Sequence, residues 1–182
     1  MKSLFFVCLG FFVSLTDSSA QQLVQPDDSL EVSPDFSFVT LDGHRILSSD
    51  LKGKVVVLDF WSSDCNPCRK SMPQLEEFYQ RYKNNPKVAF YVVNSGWEPI
   101  ESAKAFATSR RSSFLFFSWG TTYDLPFAYD SASVTLTAFR FDANPSTVII
   151  DAKSRIRLRH SAYLEKLNDF LIDHVERYLA EQ

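Results

Sequence analysis

A chain of 182 residues suits one domain, and a net charge of −3 from 19 basic and 22 acidic side chains gives no case for nucleic-acid binding. Aromatic residues make up 15% of it, 17 of them phenylalanine, which is enough to bury a sizeable core. Three cysteines are too few for a disulfide-stapled scaffold, so stability must come from that core.

The N-terminus opens with Met1-Lys2, an apolar run from Leu4 to Leu15, and the small-residue stretch Ser18-Ser-Ala20-Gln21. That order describes a secretory signal peptide over residues 1–20, cleaved near Ala20. A retained anchor is the rival, but a run of about a dozen residues is too short to span a bilayer. Cys8 leaves with the leader, and the exported chain, periplasmic or extracellular, keeps only Cys65 and Cys68. Residues 21–33, polar and carrying Pro26 and Asp27-Asp28, read as a flexible lead-in to a domain over 34–182.

Phe36-Ser-Phe-Val39 and His44-Arg-Ile-Leu47 flank Leu41-Asp42-Gly43, which predicts an N-terminal hairpin. Ser49 to Gly53 is a short turn before Val55-Val-Val-Leu-Asp-Phe-Trp61, a buried strand. Apolar residues then recur at helical spacing from Arg69 to Tyr82, until Asn84-Asn85-Pro86 stops the pattern. Val88 to Val93 is a second buried strand, and Ile100, Ala103, Phe106 and Ala107 mark a second helix. Phe114 to Trp119 reads as a further strand and Ser131 to Phe139 as a short helix. Ser146–Ile150 and Arg155–Arg159 form a hairpin around Asp151-Ala-Lys-Ser154, and an amphipathic helix running from Tyr163 to Leu179 ends the chain. Strands alternating with helices, then a hairpin and helix, imply an α/β fold: a central mixed sheet flanked by helices on both faces.

The chemistry centres on Cys65-Asn66-Pro67-Cys68, placed between the first buried strand and the first helix. In that context a Cys-x-x-Cys pair reads as redox rather than metal binding. Cys65 sits at the helix N-terminus, where unpaired N–H groups and the helix dipole favour a thiolate. Pro67 suits the first turn because it has no N–H to leave unpaired. Cys65 is therefore assigned as nucleophile and Cys68, one turn deeper, as resolving thiol. A loop-closing disulfide without turnover is the bland alternative. Zinc is another, but the pair supplies two of about four ligands, and His44, His160 and His174 show no paired spacing. Asp59 is an acid inside an apolar strand, which is costly unless paired or neutralised. A strand-end Asp bonded to backbone would be its structural explanation. Arg155, Arg157 and Arg159 on one strand face read as solvated rather than as a phosphate site, and His44 and His174 as surface or interface residues.

Asp59-Phe60-Trp61-Ser-Ser-Asp-Cys65-Asn-Pro-Cys68-Arg69-Lys70 resembles the active-site segment of thioredoxin-fold proteins. Pro34-Asp35-Phe36, Leu41-Asp42-Gly43 and Leu51-Lys-Gly-Lys-Val55 resemble the exported TlpA/ResA branch of that fold, and Asn144-Pro145-Ser-Thr-Val-Ile-Ile-Asp151 is similar to the family's cis-proline segment. The match runs from about Pro34 to Leu179. The resemblance implies a monomeric thiol–disulfide oxidoreductase with no cofactor beyond its cysteine pair. Its partners would be exported thiol or disulfide proteins, apocytochrome c among them, with electrons from a membrane dithiol donor. It further implies that Asp59 moves a proton to or from the resolving thiol, that the Asn144–Pro145 bond is cis and faces the cysteines, and that Asn144, Pro145 and Trp61 border the substrate. Glu98 lies near where some relatives place an active-site glutamate, and a solvated loop acid is the alternative.

Several residues depart from the family pattern. Asp64 stands where relatives carry Trp before the first cysteine; its charge should raise the neighbouring thiol pKa, or do little if it points to solvent and is screened. Asn144 replaces a Gly or apolar residue and would put a polar group beside the sulfur atoms. Ser154 replaces the glycine of the terminal hairpin, and the long stretch from Asn94 to Pro145 implies an enlarged central insertion. A thiol peroxidase and a non-catalytic or metal-handling module are the other functions considered. The first usually wants Thr near its cysteine and a differently spaced resolving thiol; the second wants wider cysteine spacing and a ligating His.

Overall fold

Seven consecutive buried residues make Val55–Trp61 (β3) the natural centre of a sheet. The computed structural model describes residues 31–109 and 123–182 and builds that sheet around it. Ser37–Thr40 (β1) and Arg45–Leu47 (β2) form the hairpin, and Val88–Asn94 (β4) runs parallel to β3. Phe127–Tyr129 (β5) runs parallel to β4, while Ser146–Ile150 (β6) and Ile156–Ser161 (β7) form the terminal hairpin. The order is β2-β1-β5-β4-β3-β6-β7, with β6 antiparallel to β3.

This topology decides where chemistry can gather. The parallel strands β3, β4 and β5 all end at one edge; antiparallel β6 begins there and β7 ends there. Side chains alternate along β3, so Val55, Val57 and Trp61 face one layer and Val56, Leu58 and Phe60 the other. On the first face lie Asn66–Tyr82 (α1), Ile100–Thr108 (α2) and Leu167–Ala180 (α4). Their Met72, Leu75, Phe78, Ala103, Leu171 and Val175 are buried against it. On the second face Val134–Ala138 (α3) contributes Leu136, which packs with Phe36, Phe38, Phe139 and Phe141.

Several expectations need correction. Residues 31–33 are not loose: Val32 bridges Arg155, Ser33 N–H donates to Ser154 O at 2.8 Å, and Ile156 N–H donates to Glu31 O at 2.9 Å. The last helix starts at Leu167, not Tyr163, although Leu164 still packs on the core ahead of it. The helix expected over 131–139 shortens to α3, because Ala132 and Ser133 take left-handed φ of 59° and 57°. β5 was not expected; it fills the space between β1 and β4 inside the central insertion. The arginine alternation is not a free solvated face. Arg155 pairs with Asp151 at 2.6 Å, Arg157 with Asp151 at 3.3 Å and Glu181 at 2.5 Å, and Arg159 with Glu31 at 3.0 Å. His174 is buried against Phe170 and Tyr178 rather than on the surface. The leader over 1–20, most of the lead-in and the strand expected over 114–119 lie outside the described residues.

Candidate active site

β3 delivers the chain to the sheet edge, and Ser62–Asp64 turn it into α1. Cys65 is the N-cap of that helix, half-buried, and its Sγ accepts the Cys68 backbone N–H at 3.1 Å. Cys68 is almost fully buried, and the two sulfurs are joined as a disulfide. Pro67 sits in the first turn, as its missing donor allows. A sulfur that already receives one helix N–H is a better home for negative charge than one inside the core.

Asp59 shares the α1 face of β3 with Val57 and Trp61, being two residues from each. It is 1% exposed, and its carboxylate is met by Thr147, directly opposite on β6, whose Oγ1 donates to Oδ2 at 2.7 Å. Burial pushes its pKa up from the ordinary 3.8, the Thr147 hydrogen bond pulls against it, and the balance stands at about 7. The strand-end Asp bonded to backbone is therefore not what stands here.

The loop before Cys65 is held on three sides. Glu98 accepts Ser63 N–H at 2.6 Å, Ser63 Oγ–H, and Asn94 Nδ2 at 2.6 Å, while Arg69 Nε donates to Ser63 O at 2.8 Å. Glu98 is thus an anchor between the ends of β3 and β4, not a free loop acid. Asp64 is exposed and its carboxylate accepts Ser62 Oγ–H at 2.7 Å.

The Asn144–Pro145 peptide is cis and leads into β6 at the same edge. Ser95, after β4, is fully buried; its N–H donates to Trp61 O at 2.9 Å and its Oγ to Asn144 Oδ1 at 2.8 Å. Asn144 Nδ2 is buried with no acceptor among the described residues. Gly96 must be glycine: its φ is +70°, and a Cβ there would lie 2.0 Å from Asp130 O, so the loops after β4 and β5 are pressed together.

Trp61 does not border the substrate. It is fully buried, 4.8 Å from the Phe106 ring and 5.3 Å from Phe127. Alternation along β3 was signal enough to put it beside Val55 and Val57. Thr147, Ser95 and the Ser63–Glu98 grip carried no local signal, since their partners lie 88, 49 and 35 residues away. No cluster of three or more His, Cys, Asp or Glu side chains able to hold a metal occurs among the described residues.

The structure brings Cys65, Cys68, Asp64, Glu98, Asn144 and Pro145 to one edge, with Asp59 buried behind them. Comparison with known proteins places the chain among redox proteins. The Redoxin family model matches residues 28–170. The thiol-disulfide oxidoreductase ResA of Bacillus thuringiensis subsp. konkukian is 45% identical over 143 residues, covering 76% of this chain and 74% of that protein. The thioredoxin-like protein YneN of Bacillus subtilis is 32% identical over 136 residues, covering 74% and 72%. Among solved structures, a thioredoxin-family thiol:disulfide interchange protein from Chlorobium tepidum superposes with a TM-score of 0.65 at 21% identity, over 84% of this chain and 99% of that one, a likeness of fold. The chain belongs to the redoxin family, and within it to the ResA-like thiol–disulfide oxidoreductases.

Proposed function

We propose that this protein is an exported reductant of protein disulfides, with Cys65 as nucleophile, Cys68 as resolving thiol and Asp59 as proton carrier. The observation that carries the reading is the asymmetry of the pair: a half-exposed Cys65 sulfur taking a helix N–H, against a buried Cys68. The Cys65 thiolate attacks one sulfur of a partner disulfide, forming a mixed disulfide and expelling the partner's first thiolate. Cys68 then attacks the Cys65 sulfur and expels the second. Two electrons pass to the partner, whose two thiolates take up two protons, and Cys65–Cys68 is left oxidised. Asp59, with a pKa near neutrality, is suited to accept the Cys68 proton in the second step.

Asn144 and Pro145 border the groove in which the partner chain lies, its backbone meeting theirs. No cofactor takes part. A membrane dithiol donor re-reduces the pair, and apocytochrome c is one exported substrate the family membership suggests.

The test uses Cys68→Ser and Cys65→Ser with a disulfide-bonded protein substrate. Cys68→Ser should accumulate a mixed disulfide through Cys65, and Cys65→Ser should not; the reverse result overturns the assignment. Equilibration with glutathione buffers tests direction. A potential below about −220 mV supports a reductant, and one well above it makes the protein an oxidant.

A further inference from the structure

The exposed apolar side chains are not scattered. Five large ones are exposed among the described residues: Val32, Leu47, Trp97, Val134 and Tyr163. Trp97 is 51% exposed and sits on the loop leaving β4, next to Glu98, which grips Ser63 two residues before Cys65. Val134, 60% exposed, begins α3 just past β5. The adjacent Ser133 donates through Oγ to Ser95 O at 2.6 Å, on the loop that also holds Asn144. Tyr163, 40% exposed, follows β7, whose Ser161 pairs with Ser146 beside Pro145. In sheet order these loops place Trp97 and Val134 on one side of the disulfide and Tyr163 on the other. Of the remaining two, Leu47 lies on the outermost strand β2, and Val32 bridges Arg155 at the start of β7, the opposite end of the sheet.

Charge does not offer a competing signal. Asp64, Asp142, Arg69, Lys70 and Arg140 are the exposed ionic residues of the motif and the cis-proline loop; Arg140 is paired with Glu31 at 3.0 Å, and the signs of the other four cancel. A partner recognised there would be selected by apolar contact rather than by a field of one sign.

We infer that Trp97, with Val134 and Tyr163, forms a docking rim for polypeptide substrates whose cysteine is flanked by apolar residues. The inference rests on the thiol–disulfide exchange proposed above and names its substrate class. The chemistry itself forces the contact. A mixed disulfide brings the partner sulfur to about 2 Å from Cys65 Sγ. Extended residues on either side advance about 3.3–3.6 Å each, so the residues flanking the partner cysteine run along the end of the sheet from which these loops leave. Trp and Tyr are the side chains best suited to anchor such a contact, offering large rigid area with a polar tip. Small disulfides have no flanking residues and cannot use the rim.

The test compares three disulfides reduced by the wild-type dithiol protein. They are a peptide homodisulfide with Leu and Phe beside its cysteine, the same peptide with Ser and Gly there, and bis(2-hydroxyethyl) disulfide. Second-order rate constants are read by acid quench and mass spectrometry. The wild type should favour the apolar peptide over the polar one by at least about tenfold. Trp97→Ala should cut the ratio of apolar-peptide to hydroxyethyl-disulfide rates about tenfold, and Trp97→Phe should restore most of it. Equal rates for the two peptides, or a Trp97→Ala ratio equal to wild type, overturn the rim. Failure of the wild type to reduce any of the three would overturn the exchange reaction itself, and the rim with it.

Discussion

Replacing Asp59 by asparagine should change how stability depends on pH, by an amount the structure fixes. The Asp59 carboxyl holds its proton up to about 7, whereas an unfolded aspartate ionises near 3.8. Because the folded pKa of this acid is raised, the folded state keeps a proton that the unfolded chain releases. Stability therefore falls as pH rises from about 4 to about 7, then levels off with the whole penalty in place. Roughly three pH units at 1.36 kcal/mol each come to about 4 kcal/mol, a large share of the 5–15 kcal/mol typical of a domain. The asparagine side chain cannot ionise, and its carbonyl can still accept the Thr147 hydroxyl.

Oxidised wild type and Asp59→Asn should be unfolded in urea, which adds no screening ions, from pH 4.5 to 8.5, followed by circular dichroism. In the disulfide form neither Cys65 nor Cys68 titrates. Groups such as Asp151, His160 and His174 are common to both proteins and cancel in the difference. Any constant offset from repacking leaves the slope alone. The variant should gain about 3 kcal/mol on wild type between about pH 4.5 and 8.5, the rest of the penalty lying below about pH 4.5; that is about 1.5 M in urea midpoint at ~2 kcal/mol per molar. Parallel profiles, within about 1 kcal/mol over the whole range, would refute the buried, near-neutral acid and with it the proposed proton carrier.

Three further outcomes follow from the same geometry. Thr147→Val removes the hydrogen bond that lowers the Asp59 pKa, so the pH at which the variant's stability levels off should lie about one unit above that of wild type, read by the same titration. Glu98→Gln leaves one acceptor oxygen and an NH2 facing three donors. It should cost about 2 kcal/mol in urea unfolding and speed hydrogen exchange at the Ser63 amide about tenfold or more. Ser154 holds a φ of +58°, a conformation costing a non-glycine residue about 1–2 kcal/mol. Ser154→Gly should relieve it, less the greater freedom of glycine in the unfolded chain, for a net gain of about 0.5–1 kcal/mol by thermal or urea unfolding.

What the sequence made legible was local. The Val55–Trp61 run, the α1 spacing and the Asn144-Pro145 dipeptide each carry their signal within a few residues, and their places on the sheet follow from alternation and parallel order. The missed features are pairings across long separations. Nothing near Thr147 says that its register partner on β3 is the acid, and nothing near Glu98 says that its donors are Ser63 and Asn94. The arginine strand misled for a related reason. Alternation places Arg155, Arg157 and Arg159 on one face, but whether Asp151, Glu181 and Glu31 cover that face is decided by α4 and the segment before β1. Trp61 differs again: its place in the β3 alternation reads as core and active-site wall rather than a specific contact, and its full burial agrees with the core reading against the substrate border that the resemblance implies.

Asp59 and Asp151 show why burial alone does not make a proton carrier. Both are aspartates almost closed to solvent, at 1% and 5% exposure. Asp151 caps its own turn by accepting the N–H groups of Lys153 and Arg155, and it pairs with the Arg155 and Arg157 guanidiniums. Desolvation raises its pKa, but those donors together outweigh it and hold the group below its ordinary value. Asp59 lies deeper, so its desolvation is heavier, and it has the single hydroxyl of Thr147 against it; its pKa goes up. The two positions differ in depth and in donor supply, both a matter of where they sit. Asp151 follows the end of β6 at a turn, where backbone N–H groups are free of the ladder and arginines from β7 can reach it. Asp59 lies mid-sheet between β4 and β6, where the backbone donors are committed to strand pairing and its flanking same-face neighbours are Val57 and Trp61. Holding an acid near neutrality behind the cysteine pair thus requires a strand interior, and β3, the strand that leads directly into Cys65, supplies one.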